Sequence, residues 1–498
     1  MSSTSTKPAI QTIIGREHEL ARLSKMLHSP EAEFAAVYGR RRVGKTFLIK
    51  NFFLQRDCIF FQVSGILKAS SPTQLKEFKK ATEQTFYSQF KATKLQTPSN
   101  WMDGLEMLHE AIVRLSDGKK VVLFFDEFPW MAMRKSNLLQ ALDYYWNRYW
   151  SAMPQVKLII CGSAASWIIK NILNNKGGLH NRVTLKLLLK PFTLTETQSY
   201  LKSRGIDYQP AQIVQLYMCI GGIPYYLKFV EKGLSAMQNI NQMCFQETGT
   251  LLDEFNNLFA SLFSHHEIHE SIIRLIAEKR EGVSREIIEE KMQLKGGRLS
   301  LRLKELEEAG FIAPYLPWKK KRGMYYKLID EYTLFYLSWI EPLVKENKIN
   351  TWNEHYWEEA SQSPAWRAWS GYAYEAVCFK HLPLIRKALN IPQSAIVYTW
   401  RYIPKKSEVG LWEGAQIDLV FDRNDGIINL CEIKYSQEPF KLDKKVYAEL
   451  QRKTAVYQKI TQTSKQIFLS LIASGGVQAS IYQEFIQSIA VLEDFFIP

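Results

Sequence analysis

The sequence predicts an α/β chain: a parallel sheet with a helical lid, a small helical module closed by a β-hairpin, and a second α/β unit at the end. Three observations predict it. Apolar runs of strand length, such as residues 121–125, alternate with helical stretches through the first 190 residues. Between 268 and 329 a helix–turn–helix pattern, broken by Gly296-Gly297, leads into a strand, a basic turn and a strand. Near the end, two apolar strands carrying acids are separated by the polar turn DRNDG at 422–426. The 498 residues agree with about three domains. The pattern divides as 1–190 for the sheet, 191–260 for the lid, 261–340 for the helical module and 341–498 for the last unit.

Composition excludes several classes. At 46% hydrophobic and 23% charged the chain is neither disordered nor, with 25 Gly and 18 Pro, collagen-like. The six cysteines form no Cys-x-x-Cys and no zinc spacing, which points to reduced thiols of a cytoplasmic protein. No apolar run has membrane-spanning length, and the polar N-terminus does not read as a signal peptide. The net charge is +14, and its distribution is informative. Residues 1–250 hold 32 basic and 18 acidic side chains, while 251–498 hold 32 of each. The basic excess lies in the first half, where it favours an anionic partner.

The first unit has a phosphate-binding pattern. The run FAAVY at 34–38 is followed by Gly39-Arg40-Arg41-Arg42-Val43-Gly44-Lys45-Thr46 and the helical FLIKNFFL from Phe47. This is Gly-x4-Gly-Lys-Thr between strand and helix, the P-loop context. Its glycines let the backbone wrap a phosphate, and the loop N–H groups and helix N-terminus point at the anion. Lys45 neutralises β/γ oxygens and Thr46 ligates Mg²⁺ in such a loop. The strand VVLFF at 121–125 ends in Asp126 and Glu127. Asp126 suits the Mg²⁺ shell and Glu127 suits polarisation of an attacking water. A third strand ends in Ser163, placed to sense the γ-phosphate. Arg182, after NNKGGLHN, is a candidate for transition-state charge from its own or a neighbouring subunit, or a plain surface arginine. The lysine-rich helix near 75–94 and the aromatic stretch 137–150 read as an amphipathic helix and as core or subunit contact.

Together these residues resemble the archaeal-type ATPase family of AAA-like P-loop proteins, close to the STAND NTPases. The likeness rests on Gly15-Arg16-Glu17 with Leu20, the P-loop, the Asp126-Glu127 pair, CGS at 161–163, LKPFTLTE at 189–196 and Gly222-Ile223-Pro224. It implies that Gly15 and Arg16 lie near the adenine end and that Pro224 approaches the nucleotide from the lid. ATP and Mg²⁺ are the implied cofactors.

The middle module reads as a winged helix. Ser284 caps a helix, and Leu299, Leu303 and Leu306 share an inward face. Arg298, Ser300 and Arg302 then suit a major groove, and Lys319, Lys320, Lys321 and Arg322 at the wing tip suit phosphates of double-stranded DNA. The alternative is a regulatory module packed on its neighbours.

In the last unit, Glu375 lies on a helix, Asp418 on one strand, and Glu432 and Lys434 on the next. Residues i and i+2 of a strand share a face, so Glu432 and Lys434 point together and Asp418 can oppose them. Carboxylates of Glu375, Asp418 and Glu432 form a hard oxygen site for Mg²⁺ or Mn²⁺, with Lys434 to orient water or stabilise charge. Gln451 or Lys453 on the following helix could touch phosphate, and a solvated helix face is the commoner reading. This order resembles the PD-(D/E)xK phosphodiesterase superfamily, which implies a restriction-endonuclease-like fold; Gln416-Ile417 stands where the name-giving proline is expected. The reading is an ATPase coupled to a nuclease-like domain, or a switch whose last domain binds a partner without cutting. A homo-oligomer follows if Arg182 acts in trans.

Overall fold

The apolar runs of the first 190 residues become a five-stranded parallel sheet. Strands β1 (Glu33–Tyr38), β2 (Ile59–Ser64), β3 (Val121–Asp126), β4 (Val156–Gly162) and β5 (Leu185–Leu188) lie in the order β2-β3-β4-β1-β5. Every neighbouring pair is parallel. β3 and β4 are buried at every residue, as strands covered by helices on both faces must be. One face is covered by helices Ser71–Phe86 and Trp101–Leu115, which bring Phe78, Trp101 and Leu105 onto Phe61 and Phe125. Asn100 starts the second of these by accepting the N–H groups of Met102 and Asp103. Helix Leu138–Arg148 buries Leu142, Tyr145 and Trp146 and leaves Tyr144 exposed. The consequence for function is positional: the ends of β1, β3 and β4 stand side by side at one sheet edge.

The chain divides into two compact units, Met1–Pro191 and Phe192–Pro498. The computed structural model describes residues 11–88, 94–133, 135–174, 177–179, 181–263, 265–315, 323–346, 355–404 and 413–497 of them. The wing-tip residues Lys319, Lys320, Lys321 and Arg322 lie outside the described residues.

The second unit opens with a capping box, Thr193 and Glu196, on helix Leu194–Ser203. Helix Pro210–Ile220 follows, buried continuously from Ile213 to Ile220. It stops at Gly221 (φ 64°) and Gly222, where a Cβ would stand 2.0 Å from the Phe192 carbonyl oxygen. Helices His266–Ala277, Arg285–Met292 and Gly296–Glu308 then meet a small antiparallel sheet of β6 (Val283–Ser284), β7 (Ile312–Tyr315) and β8 (Tyr325–Leu328), ordered β6-β8-β7. Ser284 caps its helix by accepting the Ile287 N–H, and Leu299, Leu303 and Leu306 are buried as their spacing predicts. Trp339, Trp357, Trp366 and Trp369 form one aromatic cluster between this part and the last helices.

The final part is a mixed sheet. β9 (Ile396–Tyr402), β10 (Ala415–Asp422) and β11 (Ile427–Lys434) are antiparallel, then β13 (Gln466–Ala473) and β15 (Ser488–Val491) join in parallel. A two-stranded ribbon, β12 (Phe440–Lys441) with β14 (Val477–Gln478), lies beside it. Helix Lys444–Thr461, capped by Asp443, packs Val456 and Tyr457 on the sheet. Helix Pro364–Lys380 is followed by His381, which is buried: its Nε2 accepts the Leu194 N–H at 3.2 Å, so Nδ1 carries the proton and donates to the Val377 carbonyl at 2.8 Å. All six cysteines are free. Among the described residues no helix is long and apolar enough to cross a membrane.

Candidate functional site

The loop after β1 is built for close approach to an anion. Gly39 has φ 142°, and a Cβ there would stand 2.2 Å from the Leu189 carbonyl oxygen. Gly44, at φ 91°, turns the chain into helix Lys45–Phe53. Arg40, Lys45 and Val43 are buried, Arg41 and Arg42 are partly covered, and Phe47 is exposed on the first helical turn. The Lys45 ammonium folds back onto its own loop and donates to the carbonyl oxygens of Gly39 (3.0 Å) and Arg40 (2.9 Å). Burial pulls its pKa below the ordinary lysine value, while the nearby Glu127 and Asp126 carboxylates work in the opposite direction. Arg16, in the left-handed region beside Gly15, donates to the Val43 carbonyl at 3.4 Å and pairs with Glu19. Of the two residues assigned by resemblance to the nucleotide's base end, Arg16 therefore reaches the phosphate loop itself.

The ends of β3 and β4 complete this edge. Thr46 donates its hydroxyl to Asp126 at 2.9 Å, and Asp126 accepts the Glu127 N–H through its other oxygen at 3.1 Å. Glu127 sits at φ 43°, which turns its carboxylate toward β4. There one oxygen accepts both the N–H (3.1 Å) and the hydroxyl (3.0 Å) of Ser163. β4 lies between β3 and β1, so Ser163 stands between the strand that ends in Asp126 and the strand that leads into the P-loop; its partner is the glutamate. Gly162 before it is required, because a Cβ would meet Pro129 at 2.7 Å. Thr46 and Asp126 present hard oxygens beside each other, a donor set that fits Mg²⁺.

Arg182 is placed elsewhere. Two residues later, Thr184 donates its N–H to the Phe34 carbonyl at the start of β1. The P-loop begins at Gly39, about 17 Å further along the strand at roughly 3.3 Å per residue. Arg182 is therefore exposed at the opposite edge of the sheet from its own P-loop. The reading in which it serves its own subunit is corrected by this register. Pro224 starts helix Pro224–Leu227 in the second unit.

A second cluster lies in the last sheet. Asp418 and Glu432 are one step beyond the Leu419–Cys431 pair of β10 and β11, so they oppose each other as expected. Asp418 accepts the Ile433 N–H at 2.9 Å. Burial, with Glu432 and Glu375 near it, pushes its pKa up to about 7. Burial also raises Glu375, against the pull of Lys327. Glu432 is fully engaged: Lys434 donates to one oxygen at 2.8 Å, and Lys453 donates to both at 2.9 and 2.8 Å. Lys453 is thus no solvated face residue, a correction to its expected place. Its signal was available, since Leu450, Val456 and Tyr457 set it among the inward positions of its helix. Gln451 is exposed and donates to the Tyr447 hydroxyl. Among the described residues, no three His, Cys, Asp or Glu side chains converge to hold a metal. As arranged, Glu375, Asp418 and Glu432 do not fit a divalent ion: lysines occupy both oxygens of Glu432, the Ile433 N–H takes one oxygen of Asp418, and Lys327 pairs with Glu375 at 3.9 Å.

In the helical module, Arg298 is exposed. Arg302 is bound to Glu305 at 2.9 Å, and Ser300 accepts from Arg285 at 3.1 Å and donates to the Gly296 carbonyl. Glu305 also holds the buried His269 at 2.8 Å.

Residues 13–230 match the ATPase domain found predominantly in Archaea. An uncharacterized protein of Methanocaldococcus jannaschii is 25% identical over 448 residues, covering 89% of this chain and 91% of that one. Among solved structures, the Walker-type ATPase of Pyrococcus abyssi is 20% identical and covers 67% of this chain and 98% of its own, with a TM-score of 0.48. The ORC2 protein of Aeropyrum pernix, solved as ADPNP–ADP complexes, is 16% identical over 70% of this chain and 97% of its own, with a TM-score of 0.41. Over residues 13–230 the chain is similar to ATPase domains of the archaeal type, and that type of domain implies ATP hydrolysis.

Proposed function

We propose that this ATPase domain is Mg²⁺-dependent and drives a DNA-binding, nuclease-like C-terminal domain. The observation that carries the first part is the chain of contacts Thr46–Asp126–Glu127–Ser163 across three adjacent strand ends. Thr46 and Asp126 would hold Mg²⁺, which neutralises charge on the β- and γ-phosphates. Lys45 exchanges two backbone carbonyls for phosphate oxygens, an exchange that breaks no ion pair. Glu127 accepts a proton from water as its oxygen bonds to the γ-phosphorus and the bond to the bridging oxygen breaks, releasing ADP and phosphate. Ser163 holds Glu127 in place. Gly15, Arg16 and Pro224 are assigned to the nucleotide by resemblance. Arg182 serves a second copy, which makes the active form a homo-oligomer.

The last part rests on the order Glu375, Asp418, Glu432 and Lys434, and on the exposed Arg298 with the basic wing-tip sequence. A second reading is a regulatory switch whose C-terminal domain binds a partner without cutting, and the lysines on Glu432 favour it. One experiment separates the two. The full chain is incubated with plasmid and linear DNA plus Mg²⁺ or Mn²⁺, with and without ATP, beside Glu432→Ala and Lys45→Ala. Cleavage lost in Glu432→Ala establishes the nuclease, and dependence on Lys45 establishes ATP control. ATP hydrolysis without cleavage under any condition establishes the non-cutting switch, and no hydrolysis overturns the first part.

A further inference from the structure

We propose that the last part of the chain holds a pocket for one unpaired nucleobase of a single-stranded nucleic acid, apart from the acid cluster. The proposal rests on the reading of this part as a nucleic-acid-binding domain and requires no cleavage by it. The pocket is a cavity of about 300 Å³ between helix Lys444–Thr461, strand β13 and the 3-10 turn Ile481–Phe485. On the helix side, Tyr447, Gln451, Thr454 and Gln458 follow one another at helical spacing and share one flank. Lys453, which is bound to Glu432, lies on another flank of the same helix.

The aromatic wall suits a flat ring. Tyr447 stacks with Phe485 at 4.6 Å and 29°, and with Tyr482 at 5.3 Å and 28°. Phe485 is 48% exposed, so the stack carries ring surface that no protein group covers. A base laid against it extends the stack, a contact open to every base because each has a π-face.

The rim supplies hydrogen bonds of both senses. Gln466 donates its N–H to Gly426 on the β11 side of its strand. Leu469 faces the other side, where the Gln487 side chain accepts its N–H at 2.6 Å and the Gln487 N–H donates to its carbonyl at 2.9 Å. Alternation turns the N–H and C=O of Ile467 to the same side as those of Leu469. β15 begins to pair only at Ser470, so this donor and acceptor have no strand partner. Gln451 gives its amide N–H to the Tyr447 hydroxyl at 2.7 Å and keeps its carbonyl oxygen for a ligand. Backbone and carboxamide groups of this kind match the donor and acceptor edge of a base. An added peptide strand needs a run of free edge groups, and here Gln487 has already capped Leu469. One free residue beside a cavity of this size favours a single ring.

Charge favours a strand over a free nucleotide. Lys444 stands one turn before Tyr447 and Lys459 directly follows Gln458, and both are exposed. The helix has one acid, Glu449, and Arg452 binds it at 2.7 and 2.8 Å. Lys444 and Lys459 are about 22 Å apart at roughly 1.5 Å per residue, with the pocket between them. One nucleotide cannot reach both, whereas the phosphates on either side of a held base can.

The test is fluorescence anisotropy of labelled oligonucleotides of about 12 nucleotides on the full chain, with excess ADP to fill the P-loop. Single-stranded dT and the dA·dT duplex are compared on wild type, Phe485→Ala and Phe485→Trp, with dTMP as competitor and circular dichroism to check folding. A dT strand carrying one 5-iodouracil is also cross-linked to wild type by light and the attachment point mapped. Phe485→Ala is expected to weaken the single strand by about tenfold or more and to leave the duplex unchanged, and Phe485→Trp to restore binding. The cross-link is expected on Tyr447 or Phe485, and it decides alone if Phe485→Ala does not fold. Wild-type affinity in Phe485→Ala, or a cross-link elsewhere, overturns the pocket and leaves the nucleic-acid reading standing. Competition by dTMP as strong as by the strand overturns the single-strand assignment and gives the pocket to a free nucleotide. Binding of neither strand nor duplex overturns the pocket and the nucleic-acid reading together, and leaves the rim to an added peptide strand.

Discussion

The two sites use the same groups in opposite ways. At the P-loop, Lys45 is held by two neutral carbonyl oxygens, and Asp126 and Glu127 accept from a hydroxyl and from N–H groups. In the last sheet, Lys434 and Lys453 lie directly on Glu432. A charge balanced by dipoles can be handed to a phosphate or a metal at small cost. A charge balanced by an opposite charge must first be separated from it. The first site is therefore prepared for its ligand, and the second is satisfied without one.

The largest expected break of this comparison is catalytic. Glu127→Gln should lower ATP hydrolysis by about 10²–10³-fold while nucleotide affinity stays within about twofold, as read by phosphate release and nucleotide titration. Next comes stability. Glu432→Gln should cost about 1–3 kcal/mol in a denaturant titration, because two lysines lose their partner, whereas Asp126→Asn should cost under about 1 kcal/mol. Equal losses would erase the distinction between the sites. Ser163→Ala should slow hydrolysis about tenfold through the freed Glu127 carboxylate, an effect of about 1.4 kcal/mol. The smallest effect is on pH dependence. Burial lowers the pKa of His381, so the unfolded chain takes up that proton first. Its contribution to stability is present above about pH 6.5 and is lost as pH falls below it. His381→Gln should flatten that part of the melting-temperature profile.

Much of this was legible because phosphate chemistry is local. Gly39 to Thr46 are contiguous, and Asp126, Glu127 and Ser163 each follow an apolar run that could only be a strand. Glu432 and Lys434 could be paired from the period of two alone. What stayed hidden were side-chain partners set by folding over long distances. Nothing near Lys327 in the sequence points to Glu375, 48 positions on, and Lys453 meets Glu432 only because its helix crosses the sheet. Arg182 was ambiguous for a related reason: its role depends on which end of β1 it meets, and that is a matter of register.

Helix Pro210–Ile220 is buried along most of its length and ends at Gly221, where a side chain would strike Glu331 at 2.8 Å. Midway, Gln215 lies beside Tyr435, the residue directly after Lys434. A rod packed on all sides cannot bend to absorb a push; it can only slide or turn as one piece. A push at its Gly221 end would therefore be felt beside Tyr435, much as a bolt carries the movement of its handle to the far side of a door.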